Sequence, residues 1–518
     1  MNLINTSAQL AEKPVINEPA FMARERELNS LEQCLDEARC GRAKLVFLQG
    51  LSGRGKSRLL RELVQRAGET IFTFEGRGTQ GVQRPFQLLV GPIQEVITAA
   101  RQDAMLAETI ARTTSSARSS LCAVLPELGV LFEDDGDKEV SEQDFGEDRT
   151  LRALGQFFDA LGLFARPSLL ILDDCQWADE MVFKLLNRWQ RARADQQRKL
   201  MIIVAFRSDE IEADHPLHKL KPDLQLTLGE FGEQALREML RSMAGTVPED
   251  AIQLVSRLSG GSPFMATVVL HGLTELGVMK HDGAAWSFRA DAVTEEMTVS
   301  GQGAEFLRRR LELLQSSTVE ILKAAAVLGK EFSPKLAAIL AGYDEELLEE
   351  GERRHIIRRL SPSGNCIFVH DKLRETLLAM LDPDAHRSLC RRIAGLLEEE
   401  GGGRVFDLAY YYHTAGEYKL ALPYALKAAA EARGLASLQL AEQQYRNALL
   451  GASPDDKETL FRIAFGLGEV LMLRGMYQEA LRQYEAAREN ARTELEAFQV
   501  EARVCETIFK LGETKRAI

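Results

Sequence analysis

The octet GLSGRGKS, Gly50 to Ser57, places three glycines, a lysine and a hydroxyl at the spacing phosphate binding requires. It lies between the apolar run Lys44–Leu48 and the helix-like stretch Arg58–Arg66. Gly50, Gly53 and Gly55 let the backbone turn tightly and bring its N–H groups up to the α- and β-phosphates of a nucleotide. A helix beginning near Lys56 points the positive end of its dipole at the same oxygens. Lys56 then reaches the β- and γ-phosphates and Ser57 the Mg²⁺. Arg54 and Arg58, inside and just after the loop, complete the loop residues expected to bind nucleotide.

A second stretch supplies acids. LLILDDCQWAD, Leu169 to Asp179, is an apolar strand ending in two carboxylates. At the carboxyl end of a strand beside the phosphate loop, Asp173 would hold Mg²⁺ through water and Asp174 would polarise the attacking water. The strand Met201–Ala205 runs into Phe206, Arg207 and Ser208, which places Arg207 beside the γ-phosphate if the strands lie side by side. A cation there can report whether that phosphate is present. The chemistry is that of ATP or ADP with Mg²⁺, and Lys56, Asp174 and Arg207 are the candidate catalytic groups.

These residues need a scaffold. At 518 residues and 45% hydrophobic, the chain is too long for one core, and three or four domains are expected. The net charge of −13 argues against broad nonspecific affinity for nucleic acid, because polyanion binding comes from neutralising phosphates with Lys and Arg. No apolar run approaches the roughly 18 residues of a membrane span and the start of the chain lacks a signal-peptide core, which indicates a cytoplasmic protein without membrane contact. The seven cysteines are scattered without C-x-x-C pairing and read as reduced thiols rather than zinc ligands.

Residues 1–20, with Pro14 and Pro19 and no periodicity, read as a mostly disordered lead-in. From 21 to 230 the strand-like runs Leu45–Leu48, Ile71–Phe74, Leu169–Leu172, Met201–Ala205 and Leu224–Leu228 alternate with helical patterns. This predicts a phosphate-loop NTPase domain with a mostly parallel sheet between helices. The acidic segment 133–148 reads as an exposed inserted loop. From 231 to 314, Leu236, Leu240, Ile252, Leu254 and Leu258 recur at helical spacing, giving a helical lid. From 315 to 384, helices flank the strand-like runs Ile356–Leu360 and Cys366–His370 around SPSGN, a winged-helix pattern.

Residues 385–518 are purely helical and repeat. Leu467, Gly468, Gly475, Tyr477, Ala480, Leu481, Tyr484 and Ala487 follow tetratricopeptide spacing, and Leu408, Ala409, Gly416, Tyr418, Ala421, Leu422 and Ala428 share the grid. Ala441, Tyr445 and Ala448 form a partial copy. Another begins at Gly512 with Ala517 in register and stops mid-repeat, so the chain is expected to be part of something longer. The fold class is multidomain, α/β followed by all-α.

In combination these motifs resemble the STAND class of signal-transduction ATPases, relatives of the AAA+ proteins, of the bacterial kind that includes maltose-type and large ATP-binding LuxR-type regulators. The resemblance covers about residues 21–518. FMARERELNSLEQCL, from Phe21, is similar to a family motif written apolar-apolar-Gly-Arg-Glu, with Ala23 in the glycine's place; the resemblance makes Arg24 a nucleotide contact. LLILDDCQWAD is close to the family's LLLLDDLHWAD, with Gln176 where histidine is common. GGSPF, Gly260 to Phe264, resembles the G-x-P lid motif and implies that Pro263 packs near adenine. FVHDKLRETLLAML, Phe368 to Leu381, resembles the winged-helix motif that immune-type relatives write Met-His-Asp, with Val369 for the methionine. That match implies that His370 touches the β-phosphate of ADP, and that exchange for ATP disfavours closed packing and releases the helical domains.

The resulting reading is a regulatory switch. It rests with ADP, responds to a protein or small-molecule inducer sensed by the tetratricopeptide region, assembles as a homo-oligomer with ATP, and resets by slow hydrolysis. Concave helical repeats suit peptide or protein partners. In the family the output comes from a separate effector, and none is recognisable here. DNA contact is expected only through an effector outside this chain, since Glu345–Glu350 beside the basic stretch Glu352–Arg359 would repel phosphates. Two other classes stay open. One is a non-catalytic scaffold with structural nucleotide, against which the intact Asp173 and Asp174 argue. The other is a substrate-threading AAA+ remodeller, for which no clear arginine finger or pore loop is present.

Overall fold

Strands covered by helices on both faces read as unbroken apolar runs, and the runs around Leu45, Leu170 and Ile202 become the middle of one sheet. The structure, a computed structural model, describes residues 16–132, 146–192, 197–282, 285–293, 304–360, 363–401 and 404–512. Strands β1 (Lys44–Gln49), β2 (Phe72–Arg77), β3 (Ser168–Asp173), β4 (Leu200–Phe206) and β5 (Leu224–Thr227) form a parallel sheet in the order β2-β3-β4-β1-β5. Every residue of β3 and β4 is buried. Because β4 lies between β1 and β3, the phosphate loop, Arg207 and Asp173 emerge side by side at one end of the sheet, where open α/β sheets bind ligands.

Helices α1 (Glu25–Arg39) and α2 (Lys56–Ala67) cover one face through Leu28, Leu59 and Leu63. The long β2-to-β3 crossover carries α3 (Gln87–Gln102), α4 (Ala104–Thr113), α5 (Arg118–Val124) and α6 (Glu147–Leu163), which with α7 (Glu180–Ala192) build an aromatic-rich core on the other face. Of the acidic segment expected as a loop over 133–148, residues 133–145 lie outside the described residues. Glu147 and Asp148 instead open α6, where carboxylates complement the helix dipole. The lead-in also differs from expectation. Ile16 is buried in a helical core and the Asn17 N–H donates to the Met243 carbonyl at 3.0 Å, so order begins before Phe21.

The next region contains α8 (Glu233–Ala244), α9 (Glu249–Ser259), α10 (Pro263–Glu275) and α11 (Ala304–Glu312). Expected to be wholly helical, it also holds the antiparallel pair β6 (Met279–His281) and β7 (Trp286–Phe288). Then follow α12 (Ser316–Leu328), β8 (Glu331–Phe332), α13 (Pro334–Ala341), α14 (Leu348–Arg353), β9 (Ile357–Arg359), β10 (Cys366–Phe368) and α15 (Asp371–Ala379). The strands form an antiparallel sheet in the order β8-β10-β9, so the expected hairpin gains a third, two-residue strand. Leu240, Val269, Phe306, Leu322 and Phe368 belong to one apolar cluster, so α8–α11 and this three-stranded module share a core.

Helices α16 (Pro383–Glu400), α17 (Val405–Thr414), α18 (Tyr418–Gly434), α19 (Leu438–Gly451), α20 (Lys457–Leu473), α21 (Tyr477–Asn490) and α22 (Glu494–Lys510) pack in succession. Gly416 and Gly475 turn the chain with φ of 77° and 78°, each two residues before a tyrosine that opens the next helix. Ala517 lies outside the described residues. Close approach of α18 and α19 depends on Gly451, where an added Cβ would meet the Tyr418 carbonyl oxygen at 2.1 Å. Gly451→Ala is expected to lower stability by about 1–3 kcal/mol, read as a fall in the unfolding midpoint. Gly395→Ala in α16, where nothing lies within 4 Å, is expected to leave it unchanged or raise it.

Candidate functional site

The phosphate loop is shaped by left-handed glycines. Gly53 has φ of 79° and Gly55 94°; an added Cβ at Gly55 would touch nothing, so backbone conformation alone calls for glycine there. Lys56 folds back over the loop, its Nζ donating to the Gly50 carbonyl at 2.7 Å and the Leu51 carbonyl at 3.2 Å, and burial lowers its pKa. The Ser57 hydroxyl donates to Asp173 Oδ2 at 2.9 Å, while Asp173 Oδ1 accepts the Asp174 N–H at 2.9 Å. One hydroxyl beside one carboxylate fits Mg²⁺ that brings phosphate oxygens and water as its other donors. Among the described residues there is no group of three or more His, Cys, Asp or Glu that could hold a metal ion.

Asp174 sits at φ of 55°, an uncommon backbone for a non-glycine residue and one that clusters at functional sites. Burial, then the adjacent Asp173, raises its pKa. Its carboxylate faces Lys330 Nζ at 3.3 Å, Gln176 Nε2 at 3.4 Å, Arg207 Nε at 3.7 Å and Arg77 Nε at 4.0 Å. Arg207, 3% exposed, also pairs with Asp371, with Glu210 at 2.7 Å and with Glu375 at 3.5 Å, and lies 4.9 Å from the Trp177 ring. Gln176 accepts the Arg207 N–H at 3.2 Å. Lys330 reaches Asp371 at 2.8 Å. Burial alone would raise Asp371, but Lys330 and Arg207 hold its carboxyl below the usual carboxylate range. Two acids and two cations thus join the end of β3 to the start of α15.

A second contact closes over the loop tip. Ser262 Oγ and the Phe264 N–H both donate to the Gly53 carbonyl, at 3.2 and 3.4 Å. The Phe264 ring stacks on His370 with centroids 3.5 Å apart. His370 Nδ1 accepts the Lys372 N–H at 3.1 Å, and burial pushes the imidazole down to about 3, so the neutral ring carries its proton on Nε2. That nitrogen faces Gly53, 3.5 Å from where a Cβ would stand.

The structure thus brings Gly50, Gly53, Gly55, Lys56, Ser57, Asp173, Asp174, Arg207 and His370 to one place. Arg54, expected at the nucleotide, is turned instead to the Gly260 carbonyl at 3.1 Å and Glu230 at 2.7 Å. Arg24 is likewise turned to the Gly229 carbonyl, to Glu27 at 3.0 Å and over Phe231. Arg58 points along α2 towards Glu62 at 4.0 Å, and Pro263 is the first residue of α10, after the capping Ser262. Ala23 holds φ of 56°, so the alanine adopts the left-handed backbone that a glycine would take freely. Sequence reasoning missed Lys330, the pairing of Asp371, and the contacts of Ser262 and Phe264. The last three sit inside quoted motifs, whereas nothing local marks Lys330.

Residues 20–203 match the AAA ATPase domain family, so the chain carries an AAA ATPase domain. An uncharacterized protein of Rhizobium meliloti (strain 1021) is 24% identical over 510 residues, 92% of this chain; the chain spans about half, 47%, of that relative's length. Among solved structures, a STAND protein with a tetratricopeptide repeat sensor from Pyrococcus horikoshii aligns over 98% of this chain and 71% of its own, with 12% identity and a TM-score of 0.49. Cdc6p from Pyrobaculum aerophilum aligns over 70% of this chain and 94% of its own, with 14% identity and a TM-score of 0.33. No helix among the described residues is long and apolar enough to cross a membrane.

The His370 environment predicts a pH dependence. Held at about 3 in the folded chain against 6.5 ordinarily, the imidazole binds no proton over a range where the unfolded chain does. Its contribution to stability is therefore complete above 6.5 and lost as pH falls from there towards 3. Asp371, also shifted down but from an ordinary 3.8, loses its contribution only as pH falls below that value. His370→Gln is expected to make the fall in Tm between about pH 7 and about pH 5 shallower, with His271, also held at about 3, supplying residual slope. An unchanged slope would mean that the His370 ring titrates normally in the folded chain.

Proposed function

We propose that this chain is a nucleotide-operated switch of the STAND kind. It rests with ADP under the lid and His370, exchanges it for ATP when an inducer engages the C-terminal helices, and resets by slow hydrolysis. The observation that carries this reading is the double closure over the AAA ATPase domain: Gly53 capped by Ser262, Phe264 and His370, and Asp174 and Arg207 joined to Lys330 and Asp371. In this reading Lys56 leaves the loop carbonyls for phosphate oxygens, and Ser57 and Asp173 hold the Mg²⁺ that neutralises phosphate charge. Asp174, with its raised pKa, accepts a proton from water. The Nε2–H of His370 donates to a phosphate at the loop tip. Arg207 and Lys330 are shared between Asp371 and a γ-phosphate, so ATP weakens the closed arrangement and ADP leaves it in place.

The three-stranded module then serves as a winged helix and helices α16–α22 as a tetratricopeptide sensor for a protein or small-molecule inducer. Release of these parts frees surfaces for homo-oligomerisation, and the output lies in an effector such as the DNA-binding domain of LuxR-type regulators. A non-catalytic scaffold is the second reading. It is favoured by the pairing of Arg207 and Lys330 with Asp174 and Asp371, which joins the ATPase domain to the three-stranded module through protein groups alone.

The chain purified without added nucleotide is expected to yield near-stoichiometric ADP on denaturation, and Lys56→Ala to lose it. Asp174→Ala is expected to keep nucleotide while turnover falls by about 10²-fold or more. An empty wild-type protein that steadily hydrolyses ATP would overturn the ADP-locked state. Full function in Lys56→Ala would establish the scaffold.

A further inference from the structure

The segment 78–86 between β2 and α3 is held at both ends by the catalytic strand's own extension. The Gly78 N–H donates to the Asp173 carbonyl at 2.8 Å, and its Cα packs so closely that an added Cβ would meet the Asp174 carbonyl oxygen at 2.3 Å. At the other end the Phe86 N–H donates to Asp179 Oδ2 at 2.8 Å, with Phe86 fully buried at φ of 56°. Asp174 lies between these two anchors. The middle of the segment belongs to the helical repeats. Arg84 pairs with Asp407 of α17, Val82 packs against one cluster of the repeats and a second that α12 and α13 share with α16–α18, and an added Cβ at Gly81 would stand 3.4 Å from the Tyr410 hydroxyl. A second contact keeps the repeats docked nearby: Ala436, in the α18–α19 turn at φ of 59°, is buried in the ATPase core.

We propose that residues 78–86 are a strap through which docking of α17 sets the position of Asp174, so that the Arg84–Asp407 contact acts on turnover rather than on nucleotide affinity. This rests on the reading of Asp174 as the hydrolytic carboxylate. Arg84 and Gly78 are positioning residues: Arg84 touches the repeats, Gly78 touches the strand end, and neither reaches the phosphate loop. In the docked form Asp174 faces Lys330 and Arg207, which hold it from water. Slackening the strap therefore raises basal turnover.

The test uses the full chain with Arg84→Glu, Asp407→Arg and the two combined. Each single reversal is expected to raise kcat for ATP by roughly fivefold or more at unchanged KM, and the pair to return it towards wild type. Hydrogen exchange of the Gly78 and Phe86 amides, measured without nucleotide, is expected to speed up in each single variant and slow again in the pair. Unchanged exchange in the singles, or failure of the pair to restore it, would overturn the strap whatever the turnover. Exchange that follows the charge pairing in a chain without hydrolysis would keep the strap and remove only the hydrolytic reading of Asp174.

Discussion

Four buried or half-buried charges, Asp174, Arg207, Lys330 and Asp371, are the constraint on which the closed arrangement depends. Each comes from a different place: the residue after β3, the residue after β4, the turn before β8, and the start of α15. Charges withdrawn from water carry a desolvation cost of several kcal/mol each, tolerable only while every one is paired. Each of the four has an opposite charge within the cluster, so it tolerates burial as a set and not in parts. A new anion entering beside Arg207 would disturb that pairing directly.

The distribution of apolar contact decides what can move. The ATPase sheet has its own cores on both faces, while the lid helices and the three-stranded module share another. The contacts between these bodies at the site are mostly hydrogen bonds and ion pairs: Ser262 and Phe264 on the Gly53 carbonyl, Arg54 on Gly260 and Glu230, Arg207 on Asp371. Separating polar surfaces exchanges protein partners for water, whereas opening an apolar core exposes surface at about 25 cal/mol per Å². The joint therefore lies where opening costs least, and lid and module would travel together.

Legibility in the sequence followed the range of the interactions. The phosphate loop, the Leu169–Asp179 motif and Arg207 were readable because a short window carries each, and parallel pairing then sets β4 between β1 and β3. By contrast β8, only two residues long, has no period to detect, and Ile16 is one apolar residue in a polar lead-in. Lys330 stands 156 residues from Asp174 in an ordinary Gly-Lys-Glu turn, and only tertiary packing brings them together. Ala23 shows an intermediate case: its departure from the glycine pattern was visible, but not that the backbone would stay left-handed regardless.

Three non-glycine residues with left-handed backbone, Asp174, Phe86 and Ala436, lie between the end of β3 and the C-terminal helices. Each conformation costs of order 1–3 kcal/mol and persists only because its surroundings dictate it. In mechanical terms these are stiff joints rather than hinges. Glycine at any of them would relax the backbone but introduce slack, and a slack linkage absorbs a displacement instead of passing it on. The strain at these positions can thus be understood as rigidity, the property that lets a small movement at one end of a chain of contacts arrive undiminished at the other.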